Sequence, residues 1–363
     1  MSIPQQGTRA FFTYVGCRTT RERNARGDGL NVYRMEAETG HWDHVQLISG
    51  VVNPSFLAFD NTLRVLFTVH GDSSDVSAFQ IEPATGKLEL INRQSTRGRN
   101  PVHLAVDPSN RFLVIPNHVT SNIAVLPIAP DGSLSEVCDL VTVTGTVGPH
   151  RMEQPFAKPH QTVFDLAGRF VVVPDKGLDR VFSYRFDPTG RLVPANPPSV
   201  ACRENAGPRH AVFHPSGTFA YVVNELDSSV TVYRYHDDTG GLEPIQIVPS
   251  LPDTFTGNSR AAEIAISADG RFLYVSNRGH ESIVAFAVAS DSGRLNPVHW
   301  AMSEGKTPRF FALDPTGRFA YVANEDSDTI VRFAIDAVTG ALQATGDSIH
   351  TGSPVCIVFR PTS

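Results

Sequence analysis

Short apolar runs rich in β-branched and aromatic residues recur along the chain, each broken by a tight cluster of Asp, Pro, Ser, Asn and Gly. Six segments share this pattern and align: NPSFLAFDNTLRVLFTVHG from Asn53, NPVHLAVDPSNRFLVIPNH from Asn100, KPHQTVFDLAGRFVVVPDK from Lys158, GPRHAVFHPSGTFAYVVNE from Gly207, RAAEIAISADGRFLYVSNR from Arg260 and TPRFFALDPTGRFAYVANE from Thr307. Their starts are spaced by 47, 58, 49, 53 and 47 residues, the third unit being lengthened by the stretch from Gly148 to Phe156. Each copy predicts two strands about a tight turn, since apolar runs flank residues that cap a turn or tolerate positive φ. A third strand follows (SSVTVYRY, ESIVAFAV, DTIVRFAI), then a turn such as DPTGRL and a weaker fourth strand. Four antiparallel strands in ~50 residues is the repeat of a propeller blade.

The chain ends complete the count. FFTYVG, GLNVYRME and HWDHVQLI supply strands two to four of a blade, and the partial copy GSPVCIVFRPTS from Gly352 supplies only a first strand. Joined, they make a seventh blade and remove the exposed edge at the ring junction. The expected fold is all-β: one seven-bladed β-propeller domain over residues 1–363, closed by terminal strands sharing a blade. Length alone, at ~150 residues per domain, suggests two or three domains, and a β-sandwich or β-helix is the plainer all-β alternative. Regular repetition with a split blade favours the ring.

The first two strands run antiparallel, so residues equidistant from the turn centre are neighbours at the far end of the blade. Arg209 and Glu225 flank Gly217 symmetrically, Arg309 and Glu325 flank Gly317, and His160 and Lys176 flank Gly168. Ala262 and Arg278 flank Gly270, Val102 and His118 flank Asn110, and Ser55 and Gly71 flank Leu63. With the first strand lining the channel, these positions converge at one mouth. The rim then gathers Lys176, Arg209, Arg278 and Arg309 against Glu225 and Glu325, with His118 and His160 beside them. Ties between blades would need neither the histidines nor the surplus of cations. A cationic pocket fits a small substrate bearing carboxylate or phosphate, to which arginine presents a planar fork.

Charge sharpens this picture. The 363 residues are 41% hydrophobic and 19% charged with net charge −6, so no global basic field favours nucleic acid, and no apolar run is long enough to span a membrane. Met1 to Phe12 lacks a secretory leader, and the four cysteines lack metal or disulfide spacing. A cytoplasmic address is expected, with no cofactor and no metal. Arg18, Arg21, Arg23 and Arg26 lie in one loop on the rim face; a solvated loop is the plain reading, attraction of an anionic substrate the functional one. Asn224, Asn277 and Asn324 are expected to hold loop turns, and Asp107, His214 and Asp314 to be turn residues. Alternation points His103 and His210 away from the channel.

The segments Gly207–Leu226, Glu263–Ile283 and Pro159–Val181 resemble the lactonase family of seven-bladed propellers, which covers 6-phosphogluconolactonases and carboxy-muconate lactonising enzymes. The resemblance extends over nearly the whole chain and implies an active-site set at His160, Arg209, Glu225 and Arg278; Lys176, Arg309, Glu325 and His118, gathered on the same rim by the strand geometry, are expected to bind substrate. Two positions depart from the family pattern: Lys158 stands where many relatives have a second histidine, and Glu325 where a glutamine is common. The implied activity is hydrolysis of a sugar-acid lactone, foremost 6-phosphogluconolactone, with His160 or Glu225 as the general base and the arginines stabilising the oxyanion or clamping phosphate. The alternatives are a muconate-type cycloisomerase closing an alkene-bearing polycarboxylate and a non-catalytic binding platform. Oligomeric state is not legible in the chain.

Overall fold

The computed structural model describes residues 10–362, so the leaderless N-terminus expected above lies largely outside the described residues. Seven sheets of four antiparallel strands form the ring. Blade 1 is split: Ala10–Cys17, Gly29–Glu36 and Trp42–Ser49 are joined by the C-terminal strand Pro354–Pro361, which pairs with Ala10–Cys17. Blades 2 to 7 span residues 54–95, 105–142, 163–201, 208–249, 260–302 and 308–350. A single 3-10 turn, Arg21–Arg23, interrupts the strands, and no α-helix occurs among the described residues.

Position in the blade explains burial. The second strands Val65–His70, Phe112–Asn117, Phe170–Asp175 and Phe219–Asn224 are buried at every residue, because neighbouring blades cover both faces. Outer strands such as Leu88–Ser95 alternate between covered and exposed. The apolar clusters therefore lie between blades; one of them joins Tyr321 of blade 7, Tyr14 of blade 1 and Leu66 of blade 2 across the split sheet. First strands of successive blades contact one another around the axis, from blade 5 through blade 1 to blade 3.

The hairpin turns behave as their sequence dictates. Oδ1 of Asp107 and Asp314 accepts backbone N–H groups four and five residues ahead, and His214 Nδ1 meets Ser216 Oγ. Gly217 at the turn centre has φ +74°, a conformation that side-chain-bearing residues enter at a cost. Blades 2 and 3 accept that cost with Leu63 and Asn110. Asn277 and Asn324 donate to the carbonyls of Ser250 and Ser303, and Asn224 to Ser229 and Thr231, so all three hold loops.

The strand register carries one correction. Pro208 pairs with Asn224 but His210 with Val223, so Arg209 is the extra residue of a β-bulge rather than the ladder partner of Glu225. Blades 2, 6 and 7 shift at the corresponding step. A bulge re-aims side chains, and here it turns two consecutive positions of the first strand toward the axis.

Candidate active site

Those two positions build two tiers. The upper tier places Ser55, Val102, His160, Arg209 and Arg309 around the axis. The lower tier brings Phe56, His103, His210 and Phe310 together, with ring centroids 4.0 Å apart for Phe56–His103, 5.7 Å for His103–His210 and 6.1 Å for both Phe56–His210 and Phe56–Phe310. Strict alternation, which would send His103 and His210 outward, fails because of the bulge. The lower rings close the channel as a floor. Above them remains a cavity of about 20 Å³, lined by His160, Arg209, His210 and Glu263 among others, which is room for one water.

Glu225 is the electrostatic hub. Its Oε1 lies 2.7 Å from Lys176 Nζ, and its Oε2 lies 3.1 Å from Arg209 Nε and 3.4 Å from Arg278 NH2. Burial pushes this carboxyl up, but Arg278, Lys176 and Arg209 outweigh it and hold the group well below the usual range. Glu225 is therefore ionised at neutral pH and a poor proton acceptor. Arg209 is fixed further by donating to Ala262 O at 2.6 Å. Burial first, then Arg278 and Arg309, pull its pKa to about 9, leaving it protonated at neutrality.

His160 is buried beside these cations. Its ring centroid lies 5.0 Å from that of His118 and 5.1 Å from that of His210, and its Nδ1 has no hydrogen-bond partner. Burial, then Arg209 and His118, hold its pKa well below the ordinary histidine value. The nearly neutral pKa expected of an unperturbed imidazole is thus absent: His160 is a neutral, weakly basic ring. His118 is also neutral, lowered to about 3 chiefly by burial and Lys176. Beneath them, His210 Nδ1 meets Glu263 Oε1 at 2.9 Å.

All eight residues predicted for the site lie on this mouth, but the structure adds others. The lengthened connection before blade 4 folds over the rim and places Glu153 2.9 Å from Lys176 Nζ and 2.7 Å from Arg260 NH1. Arg18, read as loop, is buried with its Nε 3.0 Å from Glu325 Oε1. Its location was available in the repeats: Arg18 follows Tyr14 by four positions, as Glu225 follows Tyr221 and Arg278 follows Tyr274. The rest of the basic run is peripheral, with Arg23 paired to Asp72 and Arg26 to Asp328. No three His, Cys, Asp or Glu side chains are grouped for a metal among the described residues.

Larger hollows lie elsewhere. A groove of about 580 Å³ runs between blades 2 and 3 on the turn face, and similar grooves recur between blades 4 and 5 and between blades 6 and 7. Their recurrence and turn linings mark them as products of the ring architecture.

Comparison with known proteins identifies the family of the ring. The family described as Lactonase, 7-bladed beta-propeller matches residues 12–359. The chain is similar to a 6-phosphogluconolactonase of Bacillus subtilis (strain 168), 34% identical over 84% of this chain and 85% of that protein. A 6-phosphogluconolactonase of Formosa agariphila is 31% identical over 80% of this chain and 83% of that protein. Among solved structures, the periplasmic gluconolactonase of Pseudomonas aeruginosa superposes with a TM-score of 0.91 at 32% identity, covering 98% of this chain and 100% of that one. Sequence and ring agree: the chain belongs to the lactonase family of seven-bladed β-propellers.

Proposed function

We propose that this chain hydrolyses the lactone of a sugar acid, foremost 6-phosphogluconolactone, at the rim formed by blades 4 to 6. The observation that carries the reading is a neutral, buried His160 beside the Arg209 guanidinium, which together with Arg278 is tied to one ionised carboxylate. Relatives named 6-phosphogluconolactonase and gluconolactonase support the substrate class.

His160 takes a proton from water as the oxygen adds to the lactone carbonyl. Arg209 and Arg278 stabilise the oxyanion, each contact being worth roughly 3 kcal/mol by precedent. The tetrahedral intermediate collapses, the ring C–O bond breaks, and the leaving oxygen takes the proton back from the imidazolium. Water is consumed, and the new carboxylic acid ionises. Glu225 serves by holding the cations in place. Because cations depress the basicity of His160, an anionic substrate that offsets them strengthens the base on binding.

Hydrolysis is followed by proton release from 6-phosphogluconolactone and gluconolactone, corrected for the spontaneous reaction. Acceleration lost in both His160→Gln and Arg209→Gln supports the assignment; a wild-type protein that accelerates neither lactone overturns it. The four free cysteines support a cytoplasmic address and a place in the pentose phosphate pathway is consistent with the same substrate. Cell fractionation tests that address.

A further inference from the structure

The rim has a second half. Opposite the lactone-facing groups, blades 7, 1 and 2 bring together Arg309, Arg18, Ser55 and the bare backbone of Gly71. Arg18 is buried, and its guanidinium is flanked by two carboxylates, Glu325 at Nε and Asp72 Oδ2 at 3.6 Å from NH1. Glu325 spans the two arginines, 3.0 Å from Arg18 Nε and 3.6 Å from Arg309 NH1, in the manner of a bound anion. Gly71 occupies the position that carries Glu225, Arg278 and Glu325 in other blades; a Cβ there would stand 2.8 Å from Ser55 Oγ and 3.4 Å from Arg18 NH1. The absence of a side chain lets the Ser55 hydroxyl and the Arg18 guanidinium close against the backbone at 71, where even a Cβ would crowd the hydroxyl.

Charge points the same way. The ion pairs of the mouth join seven cations (Arg18, Arg23, Lys176, Arg209, Arg260, Arg278, Arg309) to four carboxylates (Asp72, Glu153, Glu225, Glu325), leaving three positive charges in excess. A phosphate monoester supplies about −1.5 to −2 near neutral pH. Arg18 is held down to about 9 by burial and then by Arg309, while Glu325 and Asp72 act in the opposite sense.

We propose that Arg18 and Arg309 form a phosphate subsite over Gly71 and Ser55, separate from the lactone-opening groups of blades 4 to 6, and that Glu325 occupies it as an internal competitor. This rests on the lactonase reading. The substrate then lies across the channel mouth with its lactone over His160 and its phosphate over Arg18. Glu325 keeps the buried arginines neutralised in the free protein and yields one of them on binding.

The test measures kcat/KM on 6-phosphogluconolactone and on gluconolactone for the wild type, Arg309→Gln, Arg18→Lys and Glu325→Gln. One lost charge-assisted contact reduces the preference for the phosphorylated lactone by about 10- to 100-fold. Arg309→Gln is expected to lower that ratio, with Arg18→Lys doing so through loss of the planar fork. Glu325→Gln is expected to tighten binding of inorganic phosphate, measured by calorimetry. Equal losses on both lactones in the arginine variants overturn the subsite, as does phosphate affinity unaltered in Glu325→Gln. If the wild type turns over neither lactone, the activity reading fails while the subsite still stands on calorimetry: 6-phosphogluconate must bind more tightly than gluconate, and equal affinities overturn it. Circular dichroism of each variant separates misfolding from loss of contact, and Arg309, the more exposed arginine, decides if Arg18→Lys is unfolded.

Discussion

Replacing Glu225 by glutamine removes the charge on which three cations, two of them buried, converge. Lys176, Arg209 and Arg278 lie 2.7, 3.1 and 3.4 Å from its oxygens, and the variant leaves them facing one another without compensation. Breaking a buried pair by deleting one partner costs about 3–5 kcal/mol. At roughly 2.1 cal/mol/K per residue the unfolding entropy of this chain is about 0.8 kcal/mol/K, so a loss near 4 kcal/mol lowers Tm by about 5 °C. Folding lowers the pKa of Glu225, so its contribution is complete above the unfolded value near ~4.3 and is lost as pH falls through the folded value. The gap between wild type and Glu225→Gln is therefore full at neutral pH, persists at mildly acidic pH, and closes only in strong acid. Thermal unfolding followed by circular dichroism at several pH values measures it, and added phosphate is expected to narrow it by supplying the missing anion. A variant melting within about 1 °C of the wild type at neutral pH would refute the hub, given the ~5 °C expected.

Three further outcomes follow from the same structure. Because His160 is held neutral well below the ordinary histidine range, kcat/KM on gluconolactone, which carries no titrating phosphate, stays level as pH falls through that range near ~6.5, whereas a descending limb centred there would remove His160 as the base. Gly168→Ala is expected to destabilise more than Gly317→Ala: both have positive φ, costing about 1 kcal/mol, but a Cβ at 168 would meet Pro108 Cγ at 2.2 Å while the space around 317 is open. Equal melting temperatures would contradict this. Deleting Pro354–Pro361 exposes the edge of Ala10–Cys17 and is expected to give aggregated protein in size-exclusion chromatography; a monomeric, cooperatively melting product would show that closure is dispensable.

The ring was legible because its signal repeats: six copies of one hairpin and two complementary fragments leave little freedom in topology. The rim residues were legible as well, because a tight turn fixes which strand ends meet. What the sequence did not reveal begins at the bulge. An extra residue at Arg209 changes the direction of His210, and nothing in a single strand's alternation announces it. Glu153 and Arg260 were missed because their meeting depends on how a long connection folds back across the rim. Arg18 is a different case. Its register relative to Tyr14 matched the other blades, but the surrounding arginines made it look like one member of a solvated run.

The shared blade ties catalysis to the last act of folding. Phe11 pairs with Pro361, and the backbone N–H of Arg18 donates to Ser353 O across the same seam. Contacts between such distant parts of a chain form late and slowly. A partly folded protein could thus present His160, Arg209 and Glu225 on consecutive, locally folded sheets while Arg18 still lacks its place. Recovery of selectivity for a charged substrate would then lag behind recovery of lactone opening during refolding, so the enzyme's own preference becomes a clock for the zipping of its ends.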